Sequence, residues 1–227
     1  MSAHPLDRPV HAALTGRQAH LAQGDGRALR LDPEYGPFGA AIDAGAAAQA
    51  ALAALVPDAG ALWLLEPTPV AAPPGTRIVR QVPCDQMVAE RIAPADRAID
   101  FAVLGEADAA EMRALAALTQ PGPFHARTHR LGRFIGLRDP AGRLVAMAGE
   151  RMQAGGFTEV SGVCTHPDHR GRGHAAKLIR AVAAAILARG AQPFLHVYPD
   201  NAGAIALYQS LGFAFRAQLV LTLLARA

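Results

Sequence analysis

Cysteine, lysine and long apolar runs are scarce in this 227-residue chain. The two cysteines, Cys84 and Cys164, lie far apart, without the close spacing of zinc ligands or of a disulfide framework. Both are therefore predicted to be small buried apolar side chains. A zinc domain and a disulfide-stabilised secreted scaffold are excluded as classes.

Long apolar runs are missing from every part of the chain. No window approaches the ~18 consecutive apolar residues that a membrane-spanning helix needs. The first ten residues lack the order of a secretion signal, in which basic residues precede an apolar stretch. Hydrophobic residues still make up 51% of the chain, which is ample for a buried core. We expect a soluble, cytoplasmic, globular protein with no membrane partner, built as one large domain or two small ones.

The chain also has little excess of either charge, because 22 basic and 19 acidic residues give a net charge of +3. Such a balance does not by itself argue for a nucleic-acid partner. Lys177 is the only lysine, the other basic residues are arginines, and alanine is abundant. This composition is typical of a GC-rich bacterial genome. We expect a bacterial protein with no nucleic-acid partner, and a nucleic-acid surface built from the arginines stays open as an alternative.

The first part of the chain, residues 1–98, gives mixed structural signals and no recognisable chemistry. Pro73 and Pro74 mark a loop, because proline fits neither a helix interior nor a central strand. We expect an α/β lobe, and the chain as a whole shows no internal repeat at a fixed period. The predicted elements of the lobe are a helix over 9–23, a Gly/Pro-rich stretch over 32–39, a helix over 46–55, a strand over 61–65, a loop over 66–75 and a strand over 77–82.

The second part, residues 99–227, alternates strands and helices more regularly. Met112, Leu115 and Leu118 recur at helical spacing, as do Leu178, Ile179, Val182 and Ile186 in a helix that ends at Gly190. Pro140 to Gly142 supply turn chemistry between two strands. We predict a mixed α/β fold with a largely antiparallel sheet, flanking helices and one strand-helix-strand crossover. The remaining predicted elements are strands over 133–139, 143–152, 158–166 and 193–198, a short helix over 201–212, and one or two strands after it.

A glycine-rich basic stretch, "HRGRGHAA", lies between a predicted strand and a predicted helix. The first turn of a helix has free backbone N–H groups, and with the positive end of the helix dipole they form an anion site. Gly171 and Gly173 let a ligand approach the backbone, Ala175 keeps the next position small, and Arg170 and Arg172 add charge. The pattern predicts a polyphosphate or pyrophosphate ligand. It is neither a Walker loop nor a complete dinucleotide fingerprint.

Together with the residues around it, this loop resembles the GNAT family of acyl-CoA-dependent N-acetyltransferases. The resemblance is carried by "VCTHPDHRGRGHAAKLI" and "FLHVYPDNAGAIALYQSLGF", which place an Asn, a Tyr and a Gly-Phe pair behind the loop. It covers roughly residues 99–227 and is strongest over 159–213. It implies that residues 99–227 form a catalytic domain. Residues 1–98 are then a candidate for a degenerate GNAT-like half, which would line the substrate site or form dimer contacts.

The resemblance also implies where acetyl-CoA binds. The pantetheine arm would pair with the preceding strand as an added strand does, and that strand would splay from the one at 193–198. Asn201 would bond the arm or cap its own helix. The implied coenzyme-binding residues are Val163, Cys164, Thr165, Arg170, Gly171, Arg172, Gly173, His174, Ala175 and Asn201.

The expected reaction is direct attack of a primary amine on the thioester in a ternary complex, without a metal. By its match to the family tyrosine, Tyr208 is the candidate acid for the departing thiolate. A covalent intermediate on Cys164 is rejected, because no His and Asp stand at positions that would activate it. The spacing of His166, His169 and His174 fits no common metal site, so these are read as histidines around a phosphate.

The base stays open between Glu159, Glu150 and a chain of waters. Strand alternation puts residues 159, 161, 163 and 165 on one face unless a bulge intervenes, so Glu159 can face the thioester. For both glutamates, a simple ion pair with an arginine is the competing interpretation. The acceptor also stays open between an amino acid, a polyamine, a drug and a protein terminus, and a non-catalytic acyl-CoA sensor is the alternative function.

Overall fold

The computed structural model of the chain describes residues 4–93 and 100–227. The predicted boundary between residues 98 and 99 lies outside the described residues. The α-helices are α1 (Pro9–Leu14), α2 (Ala46–Leu55), α3 (Ala109–Thr119), α4 (His174–Ala188) and α5 (Ala202–Leu211). The strands are β1 (Ala22–Gly24), β2 (Ala28–Leu31), β3 (Gly39–Ala41), β4 (Leu62–Glu66), β5 (Thr76–Val88), β6 (Ala102–Leu104), β7 (Phe134–Arg138), β8 (Leu144–Ala154), β9 (Phe157–Thr165), β10 (Gln192–Val197) and β11 (Ala214–Arg226).

Most strands form one eight-stranded sheet in the order β4-β11-β5-β10-β9-β8-β7-β6. All neighbours in it are antiparallel except β9 and β10, which are parallel and joined through α4. A small antiparallel sheet contains β1, β2 and β3. The predicted mixed α/β fold, mostly antiparallel with flanking helices and one central crossover, is confirmed.

Strands from both sides of residue 98 share the large sheet. β5 comes from the first part of the chain and lies between β11 and β10, which come from the second part. It pairs with β11 along its whole length, from Thr76↔Arg226 to Val88↔Ala214. The division of the chain at residue 98 therefore stays a prediction about the roles of the two parts and does not describe separate sheets.

Several predicted elements differ in extent from the observed ones. The helix predicted over 9–23 ends at Leu14, because the chain turns at Gly16 and Gln18 then bonds the backbone of Arg151 and Gln153. The strand predicted over 77–82 continues to Val88 through Pro83. Proline is tolerated there because β10 pairs with β5 only from Asp85 onward.

Apolar stripes hold the helices on the sheet. All four predicted stripe residues of α4 are buried and pack with Val160 and Leu195 of the parallel strand pair. In α3, Met112 and Leu115 are buried as predicted, whereas Leu118 is 55% exposed, so its inclusion in the stripe is wrong. None of the described helices is long and apolar enough to cross a membrane.

The parallel pair β9–β10 separates along its length. The two strands pair from Gln192↔Phe157 to Phe194↔Glu159, and their pairing ends there. Beyond that point β10 follows β5, to Val197↔Asp85, while β9 continues along β8, to Thr165↔Ala146. The predicted splay is confirmed, and it leaves the last residues of β9 with a backbone edge that none of the described strands covers.

Candidate active site

The loop between β9 and α4 has the backbone that the glycine pattern predicts. After a short 3-10 turn at Pro167–His169, Gly171 and Gly173 adopt left-handed φ angles of 75° and 72°, and α4 begins at His174. Apart from the glycine and its two chain neighbours, no heavy atom of the described residues lies within 4 Å of where a Cβ on either glycine would stand. The free N–H groups of the first turn of α4 thus adjoin open space large enough for an anion.

The loop, the free edge of β9 and helix α5 line one cavity of about 410 Å³. Ten of the twelve residues predicted for the site are in its wall, and Arg172 and Glu159 are not. The ten are Val163, Cys164, Thr165, Arg170, Gly171, Gly173, His174, Ala175, Asn201 and Tyr208. The wall also contains residues that no sequence pattern marked as functional, namely Thr119, Ala176, Ile179, Ala204 and Leu207.

His174 contributes a side chain that suits a negatively charged ligand. Its Nδ1 atom is buried and has no hydrogen-bond partner in the part of the chain that the structure describes. Burial lowers the pKa of His174, and the nearby Lys177, Arg172 and His169 lower it further. A bound phosphate would give this imidazole a hydrogen-bond partner and offset the surrounding positive charge. The residues of the cavity therefore fit the pyrophosphate of a coenzyme.

Asn201, at the start of α5, and Tyr208, inside the same helix, both line the cavity. The Oδ1 atom of Asn201 accepts a hydrogen bond of 3.1 Å from the N–H of Ala204, so Asn201 is the N-cap of the helix. The ring of Tyr208 stands edge-on to Phe213, with 6.2 Å between centroids. Burial raises the pKa of Tyr208, so its phenol stays protonated near neutral pH and can donate a proton.

Cys164 is buried at the uncovered edge of β9. Burial raises the pKa of its thiol to about 11, and a hydrogen bond with Thr119 only partly opposes this. A thiol with such a pKa carries almost no thiolate near neutral pH, and the thiolate is the nucleophile. The environment of Cys164 therefore supports the rejection of a covalent acyl-cysteine intermediate.

Glu159 is 1% exposed and forms a buried ion pair. Its carboxylate accepts two hydrogen bonds from Arg151, at 2.7 and 2.8 Å, and one from Nδ1 of His196 at 2.7 Å. Burial alone would raise the pKa of Glu159, but the charge and hydrogen bonds of Arg151 and the bond from His196 outweigh it and hold the pKa well below its usual range. The carboxylate is thus ionised and fully occupied by its partners.

A β-bulge at Gly162 overturns the strand alternation on which the placement of Glu159 beside the thioester depended. Opposite β8, Met147 pairs with Cys164 but Gly149 pairs with Ser161, so β9 contains one extra residue between these pairs. Gly162 has a left-handed φ of 62°. Beyond the bulge Val163 packs in the same apolar cluster as Val160, on the α4 side of the sheet. Glu159 therefore does not share a face with Val163.

Glu150, the rival base, is also buried and paired. Its Oε1 accepts a hydrogen bond of 2.8 Å from Arg189, at the end of α4, and it lies outside the cavity wall. Each glutamate thus has the arginine partner that the competing interpretation expected, although both are buried.

The hydrogen-bond partners of His196 indicate which of its ring nitrogens donates and which accepts, and no sequence pattern revealed this. The Oε1 atom of Gln86 accepts a hydrogen bond from Arg216, and its Nε2 donates one to the carbonyl oxygen of Leu6. These two partners fix the orientation of the Gln86 amide. The second N–H of that amide then faces Nε2 of His196, at 3.1 Å, so Nε2 accepts. Nδ1 carries the proton and donates to Glu159. The imidazole of His196 therefore links β5, β10 and β9 where the parallel pair separates.

No group of three or more His, Cys, Asp or Glu within residues 4–93 and 100–227 is arranged to hold a metal ion.

Comparison with known proteins agrees with this geometry. Residues 134–221 match the family model of the FR47-like proteins. A crystal structure of a protein from Novosphingobium aromaticivorans, assigned to the GNAT family of acetyltransferases, is 52% identical, with 99% of this chain and 100% of that chain covered and a TM-score of 0.93. A GCN5-related N-acetyltransferase from Kribbella flavida shares the fold at 22% identity, with 94% and 93% covered and a TM-score of 0.61. The comparison with curated proteins returned no match.

The splayed sheet, the loop before α4 and these likenesses define an acyltransferase. With 52% identity along nearly its whole length to a family member, the chain belongs to the GNAT family.

Proposed function

We propose that this protein transfers an acetyl group from acetyl-CoA to a primary amine by direct attack within a ternary complex. The observation that carries the proposal is the single cavity in which the loop before α4, the uncovered edge of β9 and Tyr208 meet. Acetyl-CoA, when bound, supplies an acyl group activated as a thioester.

The backbone of the cavity holds the coenzyme in this proposal. The N–H groups from Gly171 to Ala176 bind the pyrophosphate, and Arg170 and His174 add side-chain contacts. The groups of Val163 to Thr165 that face the splay have no strand partner, because pairing with β10 ends at Glu159. They bind the pantetheine amides as they would bind an added strand.

Tyr208 acts as the proton donor for the departing thiolate. Its phenol is protonated near neutral pH, so it can give a proton to the thiolate as the carbon–sulfur bond breaks. Glu159 is ionised, but Arg151 and His196 hold it outside the cavity wall. We therefore assign Glu159 to holding β9 and β10 in place where they separate. Removal of the amine proton is assigned to water.

Two measurements test the function. Acetyl-CoA should raise the melting temperature in a titration, since a ligand at about 100 times its dissociation constant stabilises by about 2.7 kcal/mol. Coenzyme A release over a panel of amino acids, polyamines, aminoglycosides and peptide amino termini then identifies the acceptor. Absence of any stabilisation removes the proposal. Binding without turnover on the whole panel favours the alternative, a non-catalytic acyl-CoA sensor.

The variant Tyr208→Phe tests the acid. We expect kcat to fall about 100-fold, the lower end of the contribution of general acid catalysis, with the dissociation constant of acetyl-CoA within about twofold of wild type. Tyr198→Phe is the matched control, because Tyr198 lies outside the cavity wall. An unchanged kcat in Tyr208→Phe would show that another group protonates the thiolate.

A further inference from the structure

The segment between α3 and β7, residues 120–133, runs from the coenzyme cavity across the bulge of β9. It leaves α3 directly after Thr119, which is part of the cavity wall. Phe124 then stands edge-on to the buried Phe134, with 5.5 Å between ring centroids. A Cβ on Gly162 would lie 3.7 Å from the Phe124 ring and 2.8 Å from Phe134. The half-buried ring of Phe124 therefore lies over the residue at which β9 bulges.

A turn from the distant first part of the chain, Pro33–Tyr35, holds this segment through its backbone carbonyls. The N–H of Arg127 donates to Glu34 O at 2.7 Å. The hydroxyl of Thr128 donates to Tyr35 O at 2.8 Å, and Nδ1 of His125 donates to Pro33 O at 2.7 Å. An ion pair of 2.7 Å between Arg127 and Glu34 adds to them.

Thr128 joins the two sides of this contact. It is 2% exposed, and its Oγ1 accepts a hydrogen bond of 2.7 Å from the N–H of His125 while donating to Tyr35 O. One hydroxyl thus closes the turn that carries Phe124 and ties that turn to residues 33–35. Further along, Leu131 is buried in the same cluster as Leu6 and Phe38 of the first part.

We propose that Thr128 and the turn Pro33–Tyr35 are positioning residues for the acceptor: they fix Phe124 as a wall beside the reacting end of the coenzyme. The inference rests on the proposed function, which places the pantetheine arm along Val163 to Thr165, next to Gly162 in β9. Residues 33–35, which belong to the first part of the chain, would then help to position the acceptor for the reaction. The wall limits how an amine can approach the thioester, whereas residues 120–133 do not line the cavity that contains the pyrophosphate loop.

The variant Thr128→Val tests the proposal, because it keeps the shape of the side chain and removes both hydrogen bonds. We expect hydrogen-deuterium exchange of residues 120–131 to rise about tenfold, since the segment opens locally. With an amine that the panel identifies, we expect KM for that amine to rise about tenfold, whereas the dissociation constant of acetyl-CoA stays within about twofold. Thr128→Ser, which keeps the hydroxyl, should restore both values.

Thr222→Val is the matched control for loss of a buried threonine hydroxyl. Thr222 is fully buried in β11 and accepts a hydrogen bond of 3.0 Å from Gln81. Its valine variant should lower stability without changing exchange over 120–131 or the KM for the amine.

Unchanged exchange in Thr128→Val would overturn the proposal, as would an equal weakening of amine and acetyl-CoA binding, which signals a general loss of structure. A wild-type protein that fails to bind acetyl-CoA would instead refute the proposed function. Hydrogen-deuterium exchange still reports in that case on the contact between Thr128 and the turn Pro33–Tyr35. The two failures are therefore distinguishable.

Discussion

At the scale of single residues, the environment of a group decides its chemistry more than its type does. Glu159 and Tyr208 were both predicted to be catalytic from their positions in the sequence. Tyr208 is in the cavity wall, and burial raises the pKa of its phenol, so the phenol is protonated near neutral pH. Glu159 is enclosed by Arg151 and His196, and no sequence pattern indicated either partner.

Replacement of Glu159 should affect stability strongly. We expect Glu159→Ala to lower the free energy of unfolding by about 3–5 kcal/mol, because Arg151 would remain buried and unpaired. Glu111→Ala is the control, since the pair of Glu111 with Arg138 is partly exposed and worth about 0–1 kcal/mol. Chemical denaturation measures both. A loss below 1 kcal/mol in Glu159→Ala would contradict the structural role.

The same pair sets a pH dependence. The pKa of Glu159 is lower in the folded chain than its ordinary 4.5, so its stabilising contribution is complete above that value and is lost as pH falls through the folded pKa. Denaturation midpoints measured from pH 7 to pH 3 should therefore fall less steeply below pH 4.5 in Glu159→Gln than in wild type.

At the scale of elements, the start of α4 depends on two backbone conformations that only glycine adopts without strain. Gly171 and Gly173 combine left-handed φ angles with open space around their Cα atoms. That space leaves room for an anion beside the free N–H groups of the first turn of α4. The sequence was sufficient to predict this element, because both requirements are local.

Gly173→Ala tests that element. The left-handed conformation should cost about 1–2 kcal/mol of stability, and the added Cβ enters the space assigned to the pyrophosphate, so acetyl-CoA should bind at least tenfold more weakly. Gly203→Ala is the control, because Gly203 lies in α5 with an ordinary φ and with space for a Cβ. This substitution should leave the stability unchanged or raise it by up to about 1 kcal/mol. Calorimetric titration and thermal unfolding measure both effects. Equal affinities in the two variants would contradict the loop assignment.

At the scale of the whole molecule, β5 joins the two parts of the chain. Without it, β10 and β11 would lose the strand between them, and β11 would be left without its longest pairing. Residues 33–35 likewise hold the segment that carries Phe124. The part of the chain without recognisable motifs is thus structurally continuous with the part that resembles a catalytic domain.

A fragment of residues 100–227 tests this continuity. We expect it to lack a cooperative thermal transition and to bind acetyl-CoA at least tenfold more weakly than the whole chain, because an uncovered interior strand edge exposes both apolar surface and unpaired backbone groups. Circular dichroism and calorimetric titration make the comparison. A fragment that unfolds cooperatively and binds normally would support the predicted division into two domains.

The sequence by itself determined the features that depend on near neighbours along the chain: the α/β class, the loop before α4, the cap at Asn201 and the apolar stripe of α4. Helical period, glycine conformation and capping each depend on a few neighbouring residues, so they can be predicted from short stretches of the sequence. Tertiary structure alone decided that Gly162 bulges, that Glu159 meets Arg151 and His196, and that β5 enters the sheet between β10 and β11. These features depend on the register between strands that are distant in sequence, and a single sequence does not encode that register in any local pattern.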